Sequence, residues 1–153
     1  MFVKEKYSAL SSPSPHTFSD LMEMYEANYI RLRLLCGDIR LLPDKTISAV
    51  ECTVPIQLTV QERAKHTTSI MLTYNFDEMK AGAIKRPDLM IRVYHDSRQA
   101  EVISRQCNIT GATLRPWEKD VDSLLLCRWR LNRFLYKWAG YMHRQGHSFK
   151  NSL

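Results

Sequence analysis

The hydrophobic period of this chain changes twice, and that change constrains the fold more than any other feature. Between Thr46 and Cys107 apolar and polar residues alternate and β-branched residues are frequent, whereas the flanking segments repeat their apolar residues every three or four positions. A period of two places successive side chains on opposite faces of a strand, and a period near 3.6 places them on one face of a helix. The predicted order is therefore helix, several strands, helix. Strands are predicted over residues 47–54, 56–62, 68–76, 89–95 and 100–107, separated by Pro55, by residues 63–67, by a loop over 77–87 and by a turn over 95–99. Connections this short favour an antiparallel meander over parallel crossovers. Pro55 sits so close to two strand-like runs that they can also form one bent strand, so the expectation is an α+β fold with an antiparallel β-meander of four or five strands flanked by an N-terminal and a C-terminal amphipathic helix.

One face of each strand reads as apolar: Ile56, Leu58 and Val60; Ile70, Leu72, Tyr74 and Phe76; Leu89, Ile91 and Val93; Ala100 and Val102. The other carries Gln57, Thr59, Gln61, Thr73, Asn75, Arg92, Tyr94 and Glu101, which suits a sheet with one wet side. For Val93 and Val102 to share a face, the hairpin between them needs an even number of loop residues, which sets Glu101 opposite Arg92 or Tyr94. Before the sheet, Thr17 or Ser19 can cap a helix carrying Leu21, Tyr25, Asn28, Tyr29, Leu32, Leu35 and Cys36 on one side, and Gly37 is the natural stop. After it, residues 121–145 form the best-defined helix, with Leu124, Cys127, Leu131, Phe134, Leu135, Trp138 and Met142 as the buried stripe and Gly146 as the stop.

A chain of 153 residues suits one domain with a real core. The expected division is a flexible arm over 1–16, a single domain over 17–147 and a flexible tail over 148–153. No run approaches the roughly 18 apolar residues of a membrane span, and residues 1–14 lack a secretory core, so no membrane association and a cytoplasmic location are expected. Cys36, Cys52, Cys107 and Cys127 stand singly, with no CxxC pair, and read as reduced thiols.

The net charge of +6 is unevenly placed. Residues 1–122 balance 16 basic against 16 acidic side chains, whereas residues 123–153 hold Arg128, Arg130, Arg133, Lys137, Arg144 and Lys150 and no acid. At 100° per residue, Arg130, Arg133, Lys137 and Arg144 fall in a narrow arc of the last helix, flanked by Trp129 and Tyr141. Basic groups beside aromatic rings suit RNA or single-stranded DNA, although a solvated helix face has the same composition. A second cluster, Arg92, Tyr94, His95 and Asp96 with Glu101 across the hairpin, gathers ionisable groups in a small space. It could serve general acid–base chemistry, but Tyr94 and His95 point to opposite faces, and an Arg92–Glu101 salt bridge with an Asp96 turn accounts for the same residues. His143 and His147 have a metal-ligand spacing, yet Gly146 ends the helix between them and no third ligand accompanies them. Nucleotide-binding, serine-hydrolase and zincin motifs are absent, so no catalytic residue, cofactor or metal is assigned.

Three segments resemble the YqiB-like family of short, uncharacterised proteobacterial proteins, described as a domain of unknown function. They are Leu21-Met22 with Tyr25-Glu26 and Asn28-Tyr29; the run from Met90 to Asp96 with Ala100-Glu101-Val102; and Asn132 with Phe134-Leu135 and Trp138. The resemblance implies no activity and carries over no catalytic residue. It does not require Arg133 or Lys137 to be basic, and it gives weight to the hairpin cluster. The expectation is a non-enzymatic binding or adaptor protein for a protein or RNA partner. The alternative is a small-molecule-binding domain or minor enzyme with a pocket near the Tyr94-His95-Asp96 hairpin and the first helix.

Overall fold

The structure is a computed structural model, and it describes residues 17–75, 88–103 and 119–150, with the backbone alone for 119–122. The predicted arm over 1–16, the loop over 77–87, Cys107 and the last three residues lie outside it.

The chain begins with helix α1, Phe18–Cys36. Thr17 caps it reciprocally: its hydroxyl accepts from the Asp20 N–H at 3.2 Å, and the Asp20 carboxylate accepts from the Thr17 N–H at 3.1 Å. Gly37, at φ 70°, ends the helix in a region that side-chain-bearing residues avoid. The buried stripe is the predicted one, with Met24 added.

After a short 3-10 turn, Ile39–Leu41, five strands form one sheet in sequence order: β1 Lys45–Ser48, β2 Ile56–Arg63, β3 Thr67–Tyr74, β4 Leu89–Tyr94 and β5 Gln99–Val102. Every neighbouring pair is antiparallel. The first strand begins and ends earlier than residues 47–54, because the chain turns over 51–53 with Cys52 at φ 65°. That turn separates β1 from β2, so Pro55 marks a boundary rather than a bend within one strand. The β4–β5 hairpin pairs Tyr94 with Gln99 and Arg92 with Glu101, leaving the four-residue loop that the parity argument required.

Register places Ile56, Leu58, Ile70, Leu72, Ile91, Val93, Ala100 and Val102 on one face, all buried beneath the helices. Helix α2, Lys119–Gln145, lies over that face and beside α1. Leu135, Trp138 and Met142 enter the core, and Trp138 donates from Nε1 to the Tyr74 hydroxyl at 3.0 Å. Leu124 and Phe134 do not follow the predicted stripe and are exposed. The reason is that α2 buries two sides, one on the sheet and one on α1. The second side turns Trp129, Asn132, Ala139 and Gly140 inward and rotates Phe134 out.

Trp129, only 1% exposed, packs with Leu21, Met24 and Tyr25 of α1. It therefore belongs to the core and not to the basic ridge. Cys127 is disulfide-bonded, which corrects the expectation of four reduced thiols, while Cys36 and Cys52 are free. Burial pushes the Cys36 thiol up to about 12, so it stays protonated. Phe149 is buried as well, and its N–H donates to the Leu35 carbonyl at 2.8 Å.

Side chains of α2 close the free edge of β5. The Ile103 N–H bonds inward to Met90, so the Val102 N–H and carbonyl face outward. Asn132 Oδ1 accepts from the Val102 N–H at 2.9 Å, and Arg128 Nη1 donates to the Val102 carbonyl at 3.2 Å. Asn132 also donates from Nδ2 to the Arg128 carbonyl at 2.8 Å. Asn132→Ala leaves a buried backbone donor unpaired, and it is expected to cost about 2–3 kcal/mol in urea unfolding. A loss under about 0.5 kcal/mol would remove this contact from the supports of the fold.

Candidate functional site

The C-terminal half of α1 and the β4–β5 hairpin diverge around a cleft of about 760 Å³. Tyr29, Ile30, Arg33 and Leu34 of α1 form one wall, Asp38, Ile39 and Arg40 the base, and His95, Asp96 and Arg98 the opposite wall. Helical spacing explains the first wall: Leu32, Leu35 and Cys36 are drawn into the core, which leaves Ile30 and Leu34, 60% and 49% exposed, facing the cleft. Arg98 is carried at φ 54° at the end of the hairpin loop, so the loop's conformation sets where its backbone leaves for β5.

Arg33, Arg40 and Arg98 give the cleft three guanidinium groups, and all three residues are exposed. Each of the two carboxylates beside them has a partner other than a cleft guanidinium. Asp38 Oδ1 accepts from the Arg40 main-chain N–H at 3.1 Å, and Asp96 Oδ2 lies 2.9 Å from His66 Nδ1 in the β2–β3 turn. Among the described residues the ion pairs are Arg63–Asp44 and His66–Asp96, neither of which uses a cleft arginine. Arg33 donates to the Tyr29 hydroxyl at 3.3 Å and keeps its remaining donors.

His95 holds the hairpin against β3: its Nε2 lies 2.8 Å from the Thr68 hydroxyl, and its N–H donates to the His66 carbonyl at 2.9 Å. Burial, reinforced by the Arg40 charge, lowers its pKa from the ordinary histidine value. The ring is therefore neutral at pH 7.

Tyr94 and Glu101 point to the other face, as the alternation of a strand demands. They line a second, smaller groove with Phe18, Tyr25 and Leu125, where the Tyr94 hydroxyl donates to Glu101 Oε1 at 2.5 Å. Burial and that bond raise the Tyr94 pKa, and burial with the nearby Glu101 charge raises that of Tyr25. The predicted hairpin cluster is thus divided: His95 and Asp96 face the first cleft, Tyr94 and Glu101 the second. Arg92 stands opposite Glu101 in register without the expected salt bridge, because Glu101 is taken by Tyr94. Arg33, Arg40 and Arg98 were not singled out in the sequence, because they lie far apart along it and only the pairing of α1 with the hairpin gathers them.

The two histidines considered as a metal pair also separate. His143 is exposed, whereas His147 is buried, with Nδ1 2.9 Å from the Ser48 hydroxyl and Nε2 3.2 Å from the Thr53 hydroxyl. Both ring nitrogens are occupied by protein, so neither is free for a metal. Thr53 commits its own proton to the Val50 carbonyl at 2.7 Å and can only accept from the ring, so Nε2 carries the hydrogen of a neutral imidazole. Among the described residues no group of three or more His, Cys, Asp or Glu side chains could hold a metal ion, and no helix is long and apolar enough to cross a membrane.

Fold and site together define a small α+β protein in which two helices cover one face of an antiparallel meander and a basic cleft opens beside the last hairpin. The chain belongs to the family described as a protein of unknown function, DUF1249, whose model matches residues 31–148. It is 32% identical over 94 residues to the uncharacterized protein YqiB of Escherichia coli K12, an alignment covering 58% of this chain and 61% of that protein, and the YqiB proteins of strains CFT073 and O157:H7 match equally. The aligned part thus spans about three-fifths of the length of these relatives. No solved structure matches the chain.

Burial lowers the pKa of His147 as well as that of His95. Depressed folded-state values mean that the unfolded chain binds protons first as pH falls. Stability is therefore full above about pH 6.5, the ordinary histidine value, and is lost progressively as pH drops through and below it. His147→Gln is expected to flatten the fall in melting temperature between pH 7.5 and 5; an unchanged slope would show that this ring does not carry the effect.

Proposed function

We propose that this protein is a non-enzymatic binding protein whose cleft between α1 and the β4–β5 hairpin takes a phosphate-bearing ligand with an apolar body. One observation carries the reading: Arg33, Arg40 and Arg98 converge on a concave surface whose carboxylates are already engaged by the Arg40 backbone and by His66. Guanidinium groups present planar forks of donors that fit phosphate oxygens, and each charged hydrogen bond contributes about 1.5–3 kcal/mol. Exposed Ile30 and Leu34 supply an apolar wall beside the charges, as ligand pockets commonly do.

Binding is favoured over turnover by the setting of His95. Its ring nitrogen is partnered by the Thr68 hydroxyl, and the adjacent Asp96 is turned to His66, so among the described residues no carboxylate is hydrogen-bonded to the ring to orient it as a general base. The imidazole instead serves as a titratable edge of the cleft.

Titration calorimetry with phenyl phosphate, compared with inorganic phosphate, tests the assignment. Phenyl phosphate is expected to bind the more tightly, and replacing Arg33 and Arg98 together by Ala to weaken it at least about tenfold, roughly 1.4 kcal/mol, with the melting temperature unchanged. Absence of saturable binding, or equal binding by the double variant, would reject the cleft as the site.

A further inference from the structure

Arg133, Lys137, Gly140 and Arg144 follow at spacings of four, three and four, so they stand in one row along α2. The gap at Gly140 is filled from α1. Arg31 stacks its guanidinium 3.6 Å from the centroid of the Tyr136 ring and donates from Nη1 to the Tyr136 carbonyl at 3.0 Å. A Cβ on residue 140 would collide with that nitrogen, and Arg144 Nη1 lies 3.3 Å from the same point. Glycine at 140 is therefore what admits a cation from the neighbouring helix into the row. With Arg130 one turn earlier, five cations run along about 21 Å of helix at 1.5 Å per residue.

Among the described residues no ion pair uses one of these cations. Residues 123–150 contain no Asp or Glu. Arg133 adds a buried Nε with no hydrogen-bond partner. Beside the row stand Phe134 and Tyr141, seven residues apart on the same side of the helix and 47% and 48% exposed. Large rings left in water next to a line of cations match the two contacts that unpaired nucleic acid needs, phosphate neutralisation and base stacking.

We infer that this row, assembled from both helices, binds the backbone of single-stranded nucleic acid, with Phe134 and Tyr141 as stacking platforms. An acidic protein segment would answer the charge but leave the two exposed rings without a role. The surface is separate from the hairpin cleft, and neither assignment depends on the other.

The test is fluorescence anisotropy of labelled 15-nucleotide oligo(U) and oligo(dT) with the full chain, at several salt concentrations. Binding should weaken with salt at a logarithmic slope of about −3, as four or five phosphate contacts on a single strand give. Lys137→Glu with Arg144→Glu should raise the Kd at least about tenfold, while Lys45→Glu with Lys65→Glu, an equal change of net charge at exposed sites on other elements, should change it less than about threefold. Gly140→Ala, which alters no charge, should weaken binding severalfold by displacing Arg31, and Tyr141→Ala should do so without changing the salt slope. Tighter binding to oligo(U) than to oligo(dT) would identify RNA, and equal binding a general single-strand site. No salt-sensitive binding, equal effects of the two charge reversals, or binding of poly-glutamate in preference to either oligonucleotide would overturn the inference. Thermal unfolding of each variant separates loss of binding from loss of fold.

Discussion

The contact between Asn132 and the outward edge of β5 holds the architecture together. A sheet edge presents unpaired backbone donors and acceptors, and a helix lying beside it must either leave them to water or satisfy them. Here α2 does the second, with Asn132 on the Val102 N–H and Arg128 on its carbonyl. The same Asn132 offers its main-chain carbonyl to Asn28 Nδ2 at 3.1 Å, so one residue ties the edge strand, α2 and α1. Both surfaces of interest depend on that junction. The cleft needs α1 set against the β4–β5 hairpin, and the basic row needs α1 close enough for Arg31 to reach over Gly140.

The two helices bury different kinds of surface, and the charges follow from it. Where α2 meets the sheet, large side chains fill the space: Leu135, Met142 and Trp138 with its bond to Tyr74. Where it meets α1, Gly140 leaves room for the Arg31 guanidinium, and Trp129 packs among Leu21, Met24 and Tyr25. Burying two sides of α2 leaves only a narrow arc for water, so its basic residues are crowded into a line. Crowded like charges disfavour one another at this range, which makes the surface responsive to anions.

The hairpin shows how one short segment serves two surfaces. Period-two alternation sends His95 and Tyr94 to opposite sides, so neighbours in sequence face different grooves. His95 and Asp96 act together with the β2–β3 turn through Thr68 and His66, while Tyr94 and Glu101 are bound to each other. Ionisable residues close in sequence thus form two separate local clusters, one on each groove.

The amino-acid sequence by itself determined the element order, the antiparallel meander, a helix start capped by Thr17 or Ser19 and its stop at Gly37, the apolar faces of β2 to β5 and the parity of the hairpin loop. Each of these follows from local periodicity or from backbone constraints within a few residues. Only the tertiary structure decided which side of α2 meets α1, and so placed Trp129 in the core and Phe134 in water, contrary to the single stripe the sequence suggested. It also decided that Phe149 closes the core, that Cys127 is disulfide-bonded, and that Arg33, Arg40 and Arg98 share a cleft. Those outcomes depend on residues far apart in the chain, and a helix with apolar residues on more than one side does not reveal from its own period which neighbour each side will meet.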